Sequence, residues 1–237
     1  MQVVILAGGL GTRLQSISKG LPKVLVEVCG KPFLQYQLSW LAQHGLTDVV
    51  LCVGYLADQI EAFAGDGRAF GVRIHYAYEG LTLLGTAGAL KHAAPLLEEQ
   101  FCVLNGDSYL PFDPREPIAY FQSQRLMAMM LTYQNRNAHD RSNAKVDGGL
   151  VTIYTRQPGV PGLDVIDYGL RMFRKEVLAL IPEGKFCDMD MVYQQLVAQR
   201  RLAAYMVTEP FYEVGGPAGL ARFVEYVQAT SLAGALA

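Results

Sequence analysis

The first two dozen residues constrain this chain more than any other stretch. Val3-Val4-Ile5-Leu6 is a short, β-branched apolar run that reads as a buried strand, and it stops in Ala7-Gly8-Gly9-Leu10-Gly11. Glycines let the backbone take φ > 0 and let a ligand approach closely. Successive N–H groups in such a turn form a concave anion site. Arg13 adds a planar fork of donors, and Lys23, after Leu21-Pro22, adds a mobile point charge. A strand end, a glycine turn and two cations point to a polyphosphate. The stretch does not fit the dinucleotide fingerprint, which wants a further glycine near Leu14. Nor is it a Walker A loop, since Gly11-Thr12-Arg13 stands where Gly-Lys-Ser/Thr is needed. On the glycines alone, a ligand-free turn is an equal reading.

A strand–helix rhythm follows. Residues 33–41 carry apolar side chains at helical spacing and close at Gly45; residues 49–53 read as a strand, 56–63 as a short helix closed by Gly65, 72–76 as a strand, 86–94 as a helix and 101–104 as another buried strand. Continuous apolar strands in βαβ order predict a parallel sheet with helices on both faces. Ligands then bind at the carboxyl ends of the strands. Gly8 to Arg13 and Asn105-Gly106-Asp107 fall at two such ends, so they are expected to share one cleft.

The second half is less regular. It reads as a helix over 118–124, a strand over 127–133, a hairpin turn over 146–151, a loop over 157–162, a strand over 165–173 and a short helix over 177–181. An amphipathic segment over 190–202, a last strand over 203–207 and a final helix over 220–227, with Pro217 near its first turn, complete it. Residues 231–237 read as a frayed tail.

Composition narrows the function classes. Twenty Lys and Arg against 22 Asp and Glu leave a net charge of −2, which argues against a nucleic-acid-binding surface. No apolar stretch of about 20 residues is free of charges and breakers, so no membrane span is expected. Met1 runs straight into a strand without a basic leader, and Cys29, Cys52, Cys102 and Cys187 are scattered without a C-x-x-C pair. Cytoplasmic location, without disulfides or zinc, is expected. His75, His92, His139 and Asp140 have no metal-ligand spacing, and Ser108 has no evident base near it in sequence.

Several residues could carry chemistry. Asp107 ends a buried strand beside the glycine turn, where a carboxylate suits Mg²⁺; alone it could equally close a turn. Gly85-Thr86-Ala87 opens a helix, as a substrate platform or as a plain cap. Glu213 is a second acid, near a helix N-terminus.

Leu6 to Leu14 with Pro22-Lys23 resembles the signature of the sugar-1-phosphate nucleotidyltransferases, and later motifs extend the resemblance over most of the chain. Among the branches of that family the chain looks most like the short bacterial D-glycero-α-D-manno-heptose 1-phosphate guanylyltransferases. The resemblance implies an α/β fold: a single-domain, Rossmann-like, three-layer αβα sandwich with a mainly parallel mixed sheet over residues 1–237. Residues 1–110 would form the nucleotide-binding half and 111–230 the sugar-phosphate half. It implies that Arg13 and Lys23 are catalytic. Leu6, Ala7, Gly8, Gly9, Gly11, Thr12, Gly85, Thr86 and Ala87 would line the nucleotide, with Glu79 reading a guanine edge. Asp107 and Glu213 would hold Mg²⁺; the family has Asp and Thr where this chain has Glu213 and Gly216. The family's Glu-Lys-Pro element is replaced by Arg156-Gln157-Pro158, leaving Arg156 or Lys145 to meet the sugar phosphate, with Asn105, Asp167 and Gly169 beside them. The implied substrates are an NTP, GTP first, and a sugar 1-phosphate; a homodimer is compatible. Uridylyl, thymidylyl or cytidylyl transfer or mannose-1-phosphate guanylyl transfer on the same scaffold, and a non-catalytic nucleotide-sugar-binding regulator, are the competing readings.

Overall fold

A computed structural model describes residues 1–11, 20–80, 83–138 and 140–230. The tail expected over 231–237 lies outside the described residues. In chain order the elements are β1 (Gln2–Leu6), β2 (Glu27–Val28), β3 (Lys31–Pro32), α1 (Phe33–Gln43), β4 (Asp48–Val53), α2 (Ala57–Ala64), β5 (Arg73–Tyr78), α3 (Gly85–His92), β6 (Gln100–Asn105) and β7 (Ser108–Tyr109). They continue as α4 (Arg115–Ser123), β8 (Ala128–Gln134), β9 (Ala144–Asp147), β10 (Leu150–Tyr154), β11 (Val165–Arg174), α5 (Met189–Ala198), β12 (Leu202–Val207), β13 (Tyr212–Glu213) and α6 (Pro217–Thr230).

One nine-stranded sheet runs through both halves in the order β5-β4-β1-β6-β11-β8-β12-β10-β9. β5, β4, β1 and β6 are parallel. β11 then enters antiparallel between β6 and β8, β12 runs parallel to β8, and the β9–β10 hairpin closes the far edge antiparallel. Strand side chains alternate between two cores. Val3, Ile5, Leu51 and Leu104 point to a layer that includes α1, α2, α4 and α6; Val4, Val50, Val103 and Phe173 point to α3 and α5. Burial on both faces explains why these strands read as continuous apolar runs. The fold is the three-layer αβα sandwich with a mixed sheet. No described helix is long and apolar enough to cross a membrane.

Three expectations change. The 190–202 segment is not one element: α5 ends at Ala198, Arg200 takes φ +54°, the Arg201 N–H returns to the Leu196 carbonyl at 2.8 Å, and Leu202 already belongs to β12. The left-handed residue stops the helix in the manner of a glycine cap. Residues 175–180 form a 3₁₀ turn. Residues 203–207 are not the last strand, because β13 pairs with β7, setting Glu213 opposite Ser108. Local sequence gives no sign of a two-residue ladder between partners about a hundred positions apart.

Candidate active site

The carboxyl ends of the four parallel strands and the amino-terminal part of the antiparallel β11 open onto one cleft of about 870 Å³. Leu6, Ala7, Gly8 and Gly9 line one wall. The turn is tied to its neighbours: Ala7 N–H donates to Cys52 O at 2.9 Å, Tyr55 N–H to Gly8 O at 3.3 Å and Gly106 N–H to Leu6 O at 3.2 Å. A Cβ at Gly8 would overlap Oε1 of Glu79, and one at Gly106 would overlap the Leu6 carbonyl. Close approach of backbone therefore requires the glycine at 106, whereas at Gly8 it is the end of the Glu79 side chain that fills the space. Gly11, at φ +61°, packs against Lys23 and does not line the cleft. Thr12 and Arg13 lie outside the described residues.

Glu79 follows β5 and reaches back to the turn. Its Oε2 accepts the Leu84 N–H at 3.0 Å. Burial raises its carboxyl above the ordinary value, against the Leu84 N–H and, more weakly, His92.

Gly85 and Thr86 line the same wall, but the amino end of α3 is already occupied. Ala87 N–H and Gly88 N–H donate to Cys187 O at 2.9 and 3.0 Å, and Thr86 N–H donates to Asp188 Oδ1 at 3.3 Å. In return the Thr86 hydroxyl accepts the Met189 N–H at 2.9 Å, so α3 and α5 cap one another. Gly85, at φ +75°, has no room for a Cβ against the Cys187 carbonyl, 2.7 Å away. Ala87 is buried in the core and is not a lining residue.

The charged centre lies at the end of β6. Lys23 Nζ forms a close ion pair with Asp107 Oδ2. Glu213 reaches this centre through β13, and the Val214 N–H donates to the Asp107 carbonyl at 2.8 Å. Behind β13, Phe223 of α6 packs its ring against Phe33, Tyr36, Tyr109 and Tyr212 at 5.0–5.8 Å. Gly219 admits the Glu213 carbonyl where a Cβ would overlap it. The family's Asp is thus replaced by a longer acid seated on a helix-braced ladder. Two carboxylates facing one cleft form a hard-oxygen donor set of the kind Mg²⁺ takes, with phosphate oxygens and water completing its shell. No group of three or more His, Cys, Asp or Glu that could hold a metal occurs among the described residues.

The far wall is built from locked side chains. Asp167 and Arg171 form a buried ion pair, and Arg171 also donates to Asn105 Oδ1 at 2.5 Å. Burial opposes the Arg171 charge most, but the Asp167 carboxylate, Tyr193 and Tyr154 together outweigh it, and the guanidinium stays charged. Asp167 Oδ1 accepts the Gly169 N–H at 3.1 Å and its side chain is only 3% exposed, so this carboxylate is committed to the protein. Arg156 lines the cleft and pairs with Asp190 at 3.0 Å, and the Tyr154 hydroxyl donates to the same carboxylate at 3.3 Å. Lys145 is exposed on β9 away from the cleft; Gly169 sits behind it, where φ +99° lets the chain press against Ser108.

Sequence reasoning did not single out Arg171, Tyr154, Asp188 or Asp190. Arg171 had a signal: an arginine between Leu170 and Met172 inside β11, where charge is rare unless paired. The Thr86–Asp188 contact spans 102 positions and had none.

The model of the nucleotidyl transferase family matches residues 2–217. The chain is 31% identical over 219 residues to N-acetylmuramate α-1-phosphate uridylyltransferase of Neisseria meningitidis, covering 91% of this chain and 93% of the relative. It is 30% identical over 205 residues to UTP–glucose-1-phosphate uridylyltransferase of Synechocystis, covering 80% of this chain but only 53% of that protein. It is 39% identical over 113 residues to D-glycero-α-D-manno-heptose 1-phosphate guanylyltransferase of Campylobacter jejuni, covering 48% of this chain and 50% of the relative. The chain thus spans about half the length of two of these relatives. HddC from Yersinia pseudotuberculosis, solved with GMP-PN, superposes with a TM-score of 0.79 at 27% identity over 95% of this chain and 98% of that one. With the glycine turn, Lys23, Asp107 and Glu213 on one cleft, these matches place the chain in the nucleotidyl transferase family, on its sugar-1-phosphate branch.

Proposed function

We propose that the chain transfers a nucleotidyl group from an NTP to a sugar 1-phosphate. One phosphate oxygen of the sugar 1-phosphate attacks the α-phosphorus, the bond from that phosphorus to the bridging oxygen breaks, and pyrophosphate leaves. The nucleophile is already an anion, so no general base is needed, and catalysis is positioning plus charge stabilisation. The carrying observation is that Gly8, Gly9, Lys23, Asp107 and Glu213 meet on one cleft.

In this reading the Gly8–Gly9 turn cradles the nucleotide and Lys23 bridges the α-phosphate and the incoming phosphate. Arg13 neutralises the leaving pyrophosphate. Asp107 and Glu213 would hold Mg²⁺, which when bound supplies Lewis-acid charge at the phosphates. Arg156 is the cation for the sugar phosphate, since it lines the cleft and Lys145 does not.

For the nucleobase, GTP is the first reading. Glu79 can accept from the guanine N1–H and exocyclic amine, and HddC was solved with GMP-PN. UTP is the second, favoured by the 93% coverage of the Neisseria uridylyltransferase. D-glycero-α-D-manno-heptose 1-phosphate is the first acceptor to try. Pyrophosphate release is measured with Mg²⁺, crossing GTP, UTP, dTTP and CTP against heptose, mannose, glucose and N-acetylmuramate 1-phosphates. Release with GTP and the heptose supports the full reading. Release with another nucleotide keeps the chemistry and discards the role of Glu79, and release with GTP and another sugar discards only the heptose. Nucleotide binding without any release would favour the regulator.

A further inference from the structure

The register of β11 against β8 shifts between Asp167 and Arg171, a bulge centred on Gly169 at φ +99°. Four residues of regular strand span about 13 Å; the bulge lets these two side chains close on each other. Arg171 borders the cleft but is only 4% exposed, and all three of its guanidinium nitrogens are engaged. Nε donates to Asp167 Oδ2 at 3.0 Å, Nη2 joins it in the close ion pair, and Nη1 donates to Gly169 O at 3.3 Å and Asn105 Oδ1 at 2.5 Å. The Tyr193 ring lies against the guanidinium, 5.6 Å from its centroid.

A guanidinium has only donors, so the Asn105 atom facing it must be the amide oxygen. The amide nitrogen, on the Gly169 side of the group, is then the donor that Asn105 has left. Asn105 lines the cleft, and its nitrogen makes no hydrogen bond among the described residues. It stands two residues before Asp107, at the seam where the parallel half meets β11.

We infer that Arg171 is a positioning residue: through Asn105 it presents a fixed N–H donor to an oxygen of the sugar 1-phosphate. This rests on the proposed reaction. It differs from a purely structural ion pair in what it demands, because a structural pair could be replaced by any neutral pair that packs as well.

The test uses the Asp167→Asn/Arg171→Met double variant, which removes both charges and so leaves none buried alone, together with Arg171→Lys and Asn105→Asp. Steady-state kinetics use the NTP and sugar 1-phosphate that give the fastest release with the parent. The double variant is expected to raise KM for the sugar 1-phosphate about tenfold, the worth of one well-placed hydrogen bond, and to leave KM for the NTP within about twofold. Arg171→Lys should fall between. A folded double variant with unchanged sugar-phosphate KM overturns the inference.

A second readout does not need activity. The side-chain amide protons of Asn105, assigned by their loss in Asn105→Asp, should give two well-dispersed NMR signals in the parent that shift in the double variant. Signals that stay in place also overturn it. Should the parent release no pyrophosphate with any pair, the proposed reaction falls, and the amide spectrum alone decides whether Arg171 orients Asn105.

Discussion

The two walls of the cleft solve recognition differently. On the parallel side much of the wall is backbone: Gly8, Gly9 and Gly106 put peptide groups on the cleft, and a Cβ at Gly106 would overlap the Leu6 carbonyl. On the β11 side the working parts are side chains held by other side chains: Asp167 by Arg171, Arg171 by Asn105, Arg156 by Asp190. A backbone cradle suits a group common to every substrate, the polyphosphate. A side-chain network suits a group that varies between relatives, the sugar.

The largest expected effect falls on the side-chain wall. Arg171→Met alone leaves the Asp167 carboxylate buried without its cation and should cost about 3–5 kcal/mol of stability. Adding Asp167→Asn should restore most of it. Urea denaturation of the parent, both single variants and the pair gives the coupling directly. Additive losses would mean that the pair is not a unit, and the contrast between the walls would collapse.

Next comes the centre shared by both walls. Lys23→Ala or Asp107→Ala should lower turnover by two or more decades, about 2.7 kcal/mol or more of transition-state stabilisation, with the fold intact by circular dichroism. Near-normal turnover in either folded variant would remove these residues from the chemistry.

How far the sequence could be read follows the same division. The parallel half was legible because strands buried on both faces write continuous apolar runs, and a glycine turn at a strand end has few uses. Lys23 and Asp107 lie 84 positions apart, yet each sits in a local motif, so their shared cleft could be anticipated. The far wall was not legible in this way. Asp167 reads as an acid free to bind sugar, but its partner is placed by a bulge that depends on Gly169 pressing against Ser108. Thr86 reads as the cap of its own helix, whereas its hydroxyl caps α5. Glu213 was found through its motif, but the ladder and aromatic cluster that carry it are tertiary.

A smaller effect tests the backbone wall. Gly8→Ala puts a Cβ onto Oε1 of Glu79, and overpacking of this kind costs about 1–3 kcal/mol. Glu79→Ala in the same chain should relieve most of that cost. Thermal unfolding of the four proteins reads the coupling, and a Gly8→Ala variant as stable as its parent would show that the Glu79 side chain swings aside without cost.

The smallest effect concerns Glu79 itself and carries a pH signature. Burial raises its carboxyl, so the native chain holds that proton more tightly than the unfolded chain. Stability therefore falls as pH rises from the ordinary carboxylate value through the raised native one, and stays lowered above it. Glu79→Gln cannot titrate and keeps an oxygen for the Leu84 N–H. It should be slightly more stable than the parent at about pH 7 and lose that advantage by about pH 3, where both forms are neutral. If Glu79 reads guanine, the same variant sets an amide donor against the N1–H, and KM for GTP should rise relative to UTP. A stability gain without a change in nucleotide preference would separate the two roles: the carboxylate would then serve only to fill the space that the missing Cβ of Gly8 leaves open, and the parallel wall would recognise phosphate without reading the base.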